Sequence, residues 1–374
     1  MLRIDIRLIS VLYFVANSCA DMYHAKDSDV LKQNELFSGS ITSIDGILVG
    51  HSSKSERPTG CTVIICNTTC VGGVDVRGAA PGTRETDLLD PMNIVKHVNA
   101  IVLSGGSVFG LDAASGVTQC LMEKNIGFPA RDRLVPIVPA AVIYDLSVGN
   151  NSFIVPDAQS GYSACMAADN APVTEGNVGV GTGASVGKVL SIRNAMKSGL
   201  GSASVNIRDP NTNTTVTIAA LVVVNAAGDI YKKSQLIAGA RTPDGKNLLN
   251  TIEYILNADA IVDDIFPVGT ATTLACVVTD AIITKAEAKK ISQMAHDGFA
   301  RAINPVHTLA DGDVVFTLGT GASPVSNINL LGIMAAEAVE RAIIRAVEKA
   351  TGVPGFPSIH ELSLNPSDCD NGKP

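Results

Sequence analysis

Between Ile41 and Gly352 short apolar runs alternate with longer stretches in which apolar and polar positions recur at helical spacing. The runs at 61–66, 100–104, 135–143, 205–207 and 216–224 are too short for helices, and several are apolar at every position, the mark of strands covered on both faces. Val108, Leu111, Ala114, Val117 and Leu121 fall at three- and four-residue steps and predict a helix. A second begins at Asp157, whose side chain suits an N-cap. Thr284 and Glu287 form a capping box that opens a third, running to about Ala302. A fourth, over 330–350, has a charged side and an apolar stripe and stops before Gly352. No repeat of fixed period and no linker interrupts the alternation, so a single layered α/β unit is expected, with helices covering stacked sheets.

Composition narrows what fills that core. The chain is 46% hydrophobic but only 4% aromatic, with no Trp and 34 Gly, so Ala, Val, Ile and Leu must pack closely around glycine. The net charge of -8 and the scattered 28 Lys and Arg offer no basic footprint, which excludes nucleic acid as an expected partner. Past the N-terminus no apolar stretch reaches the roughly 18 residues that cross a bilayer, so a soluble mature protein is expected, with no membrane partner. The first twenty residues read as an export signal: Arg3 and Arg7 precede an apolar stretch at 8–16, and Ser18 and Ala20 suit a peptidase cut. Secretion to the periplasm or the exterior follows if that signal operates, and a cytoplasmic location if it does not. Residues 21–40 lack periodicity and read as a flexible lead-in, 41–352 as the folded domain, and 353–374 as a C-terminal tail. Removing Cys19 with the signal leaves seven cysteines, irregularly spaced and mostly in apolar runs, which predicts buried small hydrophobes rather than a disulfide framework.

Several motifs fail on position. In the glycine-rich 176–188 segment, Thr182 stands where a phosphate loop needs its first glycine, and Val189 where it needs Ser or Thr. A dinucleotide fingerprint fails at Ala184, and no cofactor is implied. Around Ser107 the sequence Gly105-Gly106-Ser107-Val108-Phe109 lacks the closing glycine of a nucleophile elbow. His307, Asp311 and Asp313 could serve a metal, but no second ligand cluster accompanies them, so no metal is expected. Asp311 and Asp313, two apart at the entry to an apolar run, point the same way and could together hold an amine or a hydroxyl.

That pair bears on the run that opens at Thr272-Thr273. A threonine hydroxyl is a weak nucleophile unless a base is near, and the α-amine of the same threonine, freed by a chain cut, can be that base. Such a residue needs the end of a rigid strand, a small residue before it and an anion to orient its amine. Thr272 begins a strand-like run, follows Ala271 and has Asp311 and Asp313 as candidate orienters. On the residues alone, β propensity is the better account of a threonine pair starting a strand.

The segments at 45–51, 74–89, 103–117, 135–146, 181–188, 220–230, 271–281 and 297–316, taken in order, resemble the L-aminopeptidase/D-esterase family, which includes β-peptidyl aminopeptidases and the nylon-oligomer endo-hydrolase. The resemblance covers about 41–352. It implies a four-layer αββα sandwich made as one precursor, cut before its nucleophile into two associated subunits. Here the cut would fall between Ala271 and Thr272, with Thr272 as nucleophile and Asp311 and Asp313 as acidic partners. Lys188, Asn225 and Tyr144 match positions lining the family's pocket, Asn225 as an oxyanion donor and Tyr144 at the substrate. The implied activity is hydrolysis of small peptides, amides or esters through an acyl-enzyme, without a cofactor, in a homotetramer or larger assembly. Acyl transfer of the ornithine-acetyltransferase kind, or binding without catalysis, are the alternatives. Two residues depart from the family pattern. Ala271 stands where Asn or Gly is common, and alanine disfavours positive φ, which predicts slow or absent self-cleavage. Val142 stands where aminopeptidase members carry a glutamate for the substrate amine. Asp145 is close by, but an extended segment would turn it to the opposite face.

Overall fold

The computed structural model describes residues 39–208, 213–258, 266, 269–325 and 327–363; the expected signal and nearly all of the lead-in lie outside these. Nine strands are hydrogen-bonded into one branched sheet. They are β1 (Ile47–Lys54), β2 (Thr59–Val76), β3 (Thr83–Arg84), β4 (His97–Ser104), β5 (Ala140–Val142), β6 (Leu200–Arg208), β7 (Thr215–Asn225), β8 (Thr272–Ala281) and β9 (Val314–Ser323). The order is β6-β7-β8-β9-β2-β4-β5-β3, with β1 on β2. Most neighbours are antiparallel, but β4 and β5 run parallel, as do β8 and β9, between which α3 (Lys285–Ala302) intervenes.

The long strand β2 makes this sheet two layers. Its first half pairs with β1 and β4, and its second half with β9, across a register shift between Ile65 and Cys70 where Asn67, Thr68 and Thr69 bulge into solvent. Side-chain alternation then divides the core. Leu274, Cys276 and Val278 of β8, Val314, Phe316 and Leu318 of β9, and Leu221 and Val223 of β7 meet Ile64 of β2 and Ile101 and Leu103 of β4 between the layers. Cys61, Val63, Ile65, Ala100 and Val102 face the other way, onto α1 (Ala113–Glu123) and α2 (Ala158–Met166). On the opposite side α3 and α4 (Ile328–Glu348) cover β6, β7, β9 and the second half of β2. The result is helix, sheet, sheet, helix, as the resemblance implies. Strands buried on both faces explain why the sequence shows unbroken apolar runs there.

Helix ends follow the local signals. Thr284 accepts from the Glu287 N–H while Glu287 returns a bond to the Thr284 N–H, and Asp157 caps α2 through Ser160. Of the run at 135–143, only Ala140–Val142 is a strand of the main sheet; the chain before it forms a two-stranded ribbon, and Pro136 and Pro139 break the ladder between them. Beyond Gly352, Phe356 packs with Val148 and Ala195, and a short helix spans Ile359–Ser363.

The cysteines correct the sequence expectation. Cys66 is bridged to Cys70 across the β2 bulge, and Cys120 of α1 to Cys165 of α2. Their apolar surroundings were read correctly, but folding brings side chains 45 residues apart onto facing helices, a relation that spacing does not encode. Cys61 and Cys276 remain as buried thiols.

Candidate active site

Thr272 and Asn225 are direct partners in the β7–β8 ladder and share the face that looks between the layers. Thr272 is 3% exposed and opens β8 where the apolar core ends. Around it converge the turn carrying Lys188, the loop 305–313 that leads into β9, and the segment 77–82 that follows β2.

Lys188 arrives through a tight turn at Gly187, where φ is +76° and an added Cβ would come within 1.8 Å of the Ala240 nitrogen. Its ammonium donates to the Asn225 backbone carbonyl at 2.9 Å, to Asn225 Oδ1 at 3.0 Å and to the Thr270 carbonyl at 3.0 Å. Burial brings its pKa down to about 7, against the opposing pull of Asp311, Asp145 and Asp313. Asn225 Oδ1 also accepts from the Ser185 N–H at 3.1 Å, and its Nδ2 donates to the Tyr144 carbonyl at 3.0 Å. Lys188, Asn225 and the Tyr144 backbone are therefore one connected group behind the nucleophile.

The two aspartates take different partners. Asp311 Oδ2 accepts from the Thr308 N–H at 3.0 Å and the Thr308 hydroxyl at 2.6 Å, and its Oδ1 accepts from the Ala227 N–H at 3.4 Å. Burial, and then the charge of Asp313, push its pKa up. Asp313 Oδ1 accepts from the Thr273 N–H at 2.6 Å, which ties it to the nucleophile strand, and Oδ2 lies 2.7 Å from His307 Nδ1. The His307 pairing was missed in the sequence, where this histidine was weighed only as a metal ligand. Its presence in the same short segment as both aspartates was the available signal. His307 also meets the ring of His296 on α3, with centroids 4.8 Å apart. Burial and then the neighbouring His307 bring the pKa of His296 down to about 4.

The residues that depart from the family pattern are informative. Ala271 is buried and lies outside the positive-φ region, in keeping with alanine's resistance to it; His307, in the loop that faces it, does adopt positive φ (56°). Val142 is buried against Gly82 and brings no charge. Asp145 follows the end of β5, where strand parity no longer applies, and is buried. It is fully paired in the interior with Arg57 at 3.0 Å, the Thr59 hydroxyl at 2.6 Å and the Gly106 N–H at 2.8 Å. Ser107 donates its N–H to Ile143 at the entrance of a 3-10 turn, Ser107–Asp112, rather than sitting on an elbow. In the glycine-rich segment, the carbonyls of Gly181 and Ala184 are taken by the buried Lys197 ammonium, at 2.9 and 3.1 Å.

A two-layer sheet covered by helices, with a hydroxyl residue opening a central strand beside a buried lysine, an amide and two carboxylates, defines an amidohydrolase of the N-terminal-nucleophile fold. Solved structures share it. A Burkholderia sp. beta-aminopeptidase aligns with TM-score 0.63 at 21% identity, covering 87% of this chain and 92% of its own. The L-aminopeptidase D-Ala-esterase/amidase from Ochrobactrum anthropi aligns with TM-score 0.63 at 17% identity and the same coverage. The chain belongs to peptidase family S58, whose model matches residues 39–360. It is 38% identical over 349 residues to an uncharacterized aminopeptidase of Mycobacterium tuberculosis, covering 86% of this chain and 97% of that one. It is 30% identical over 318 residues to a 6-aminohexanoate-oligomer endohydrolase of Paenarthrobacter ureafaciens, covering 80% and 84%.

Proposed function

We propose that this aminopeptidase-like hydrolase cuts itself between Ala271 and Thr272 and then uses Thr272 to hydrolyse small peptides, amides or esters through an acyl-enzyme. The observation that carries the reading is the convergence of Lys188, Asn225, Asp311 and Asp313 on the residue that starts β8. Once the bond is cut, the Thr272 α-amine takes the hydroxyl proton and the oxygen attacks a substrate carbonyl. The acyl group is then released by water. Asn225 contributes an N–H to the oxyanion, an interaction worth about 3 kcal/mol in comparable sites. Lys188, as a cation, favours the alkoxide and keeps the α-amine unprotonated. With Val142 in place of a carboxylate and Asp145 consumed by Arg57, these residues offer no anchor for a free amine, which favours acyl groups that lack one.

Purified protein on a reducing gel is expected to show a 103-residue fragment beginning at Thr272, and Thr272→Ala is expected to lose both the fragment and hydrolysis. A Thr272→Ala protein with undiminished amidase activity would remove the nucleophile assignment. Export belongs to the same proposal and is supported by two cystine bridges, which persist in oxidising compartments. Assembly into a homo-oligomer is proposed from the family resemblance, and light scattering of the purified protein tests it.

A further inference from the structure

We propose that the backbone N–H of Gly312 is the oxyanion donor for self-cleavage, a donor separate from the Asn225 amide assigned to substrate hydrolysis. This rests on the self-cleaving reading above and names the group that makes its first step possible.

In the intact chain the Ala271 carbonyl oxygen, the oxygen of the bond to be cut, accepts from the Gly312 N–H at 3.0 Å. The Thr272 hydroxyl lies 2.5 Å from the same oxygen. Nucleophile and donor are thus both gathered on the scissile carbonyl before any reaction. On the other side of the residue, the Ala271 N–H donates to the Ala310 carbonyl at 3.3 Å, so Ala271 is held at both ends by 310–312. That segment is itself pinned from behind. The Ala80 N–H donates to the Asp311 carbonyl at 2.9 Å, and the N–H groups of Arg77 and Gly78 donate to the Asp313 carbonyl at 3.0 and 3.2 Å. A donor fixed in this way needs no reorganisation when charge develops, which is the condition for strong transition-state stabilisation.

The residue type agrees. A Cβ at position 312 would lie 2.5 Å from the Ala80 carbonyl oxygen and 2.8 Å from Thr272 Oγ1. Space rather than backbone angle demands glycine here, and the space it leaves is occupied by the attacking hydroxyl. In the intact chain the backbone donor on the Ala271 oxygen is Gly312, while Asn225 Nδ2 spends one of its two protons on the Tyr144 carbonyl and keeps the other for substrate.

The step balances as an isomerisation followed by hydrolysis. Thr272 Oγ1 bonds to the Ala271 carbonyl carbon, and the carbonyl π pair moves to the oxygen held by Gly312. Collapse then breaks the bond to the Thr272 nitrogen, which receives the proton shed by Oγ1. Water cleaves the resulting ester to an Ala271 carboxylate and a free Thr272 amino terminus.

Replacing Gly312 by glycolic acid through nonsense suppression deletes this N–H and adds no atom to the crowded side. Formation of the 103-residue fragment is expected to slow by about 10²–10³-fold. Hydroxylamine cuts esters but not amides, so in the slowed protein it is expected to break the chain only at the introduced ester between Asp311 and position 312, with no new end at Thr272, placing the block before the Ala271–Thr272 ester forms. A glycolate variant that cuts itself at the wild-type rate, or in which hydroxylamine also breaks the chain between Ala271 and Thr272, overturns the assignment of Gly312 and leaves the self-cleaving reading intact. A wild-type chain that never cuts overturns both.

Discussion

Ala271 precedes the proposed nucleophile and sits outside the positive-φ region in the uncut chain. Alanine resists positive φ, the ground on which the sequence predicts a slow or absent cut, and no strain of that kind is stored at this residue before reaction. Replacing it with glycine therefore removes no strain and adds only freedom to the uncut chain, an effect of about 0.4–1 kcal/mol. Ala271→Gly is expected to form the 103-residue fragment within about fivefold of the wild-type rate in a time course on reducing gels. An acceleration of about a hundredfold would show that the alanine does hinder the reaction. Thr272, Asp311 and Asp313 stand out from the residues themselves, Lys188 and Asn225 only through the family resemblance, and the fold brings the five together. His307 and Gly312 were not legible, because their roles depend on which atoms meet across the loop into β9, and one of them acts through its backbone.

Elements were legible where the signal is local. The capping box at Thr284 and Glu287 and the cap at Asp157 form as read, since each involves groups three residues apart. The double life of β2 was hidden, because a strand serving two layers looks like one apolar run followed by polar residues. Disulfide pairing was hidden for a related reason, being a property of how helices pack. The Cys120–Cys165 bridge joins α1 to α2 across 45 residues, a loop for which chain-entropy arguments give about 4 kcal/mol, while the four-residue separation of Cys66 and Cys70 gives about 2 kcal/mol. Replacing Cys120 and Cys165 together by Ala is expected to lower the urea midpoint more than the same change at Cys66 and Cys70. Equal shifts would mean that the covalent tie between the helices adds little beyond their packing.

Across the whole molecule, two buried lysines set an unusual pH response. Burial brings Lys188 and Lys197 to about 7 from a usual 10.5. Between those values the folded chain binds fewer protons than the unfolded one, so stability rises with pH through the window, and below about 7 the full penalty of burying two cations applies. Urea unfolding near pH 6 and near pH 9 is expected to show a higher midpoint at the alkaline value, and Lys197→Met is expected to flatten the difference; a profile unaffected by that change would exclude Lys197 as a contributor. The layered architecture itself was legible from the alternation of elements. The order of the strands was not, and it matters for what a cut leaves behind. β8 and β9 both follow Thr272, yet they lie side by side in the middle of the sheet, flanked by β7 and β2 from the preceding part of the chain. Two polypeptides separated at that bond would stay interleaved like the plies of a cord. Pulled apart by denaturant they would face a second-order search to rejoin, so a molecule cut there would owe its persistence to never coming undone.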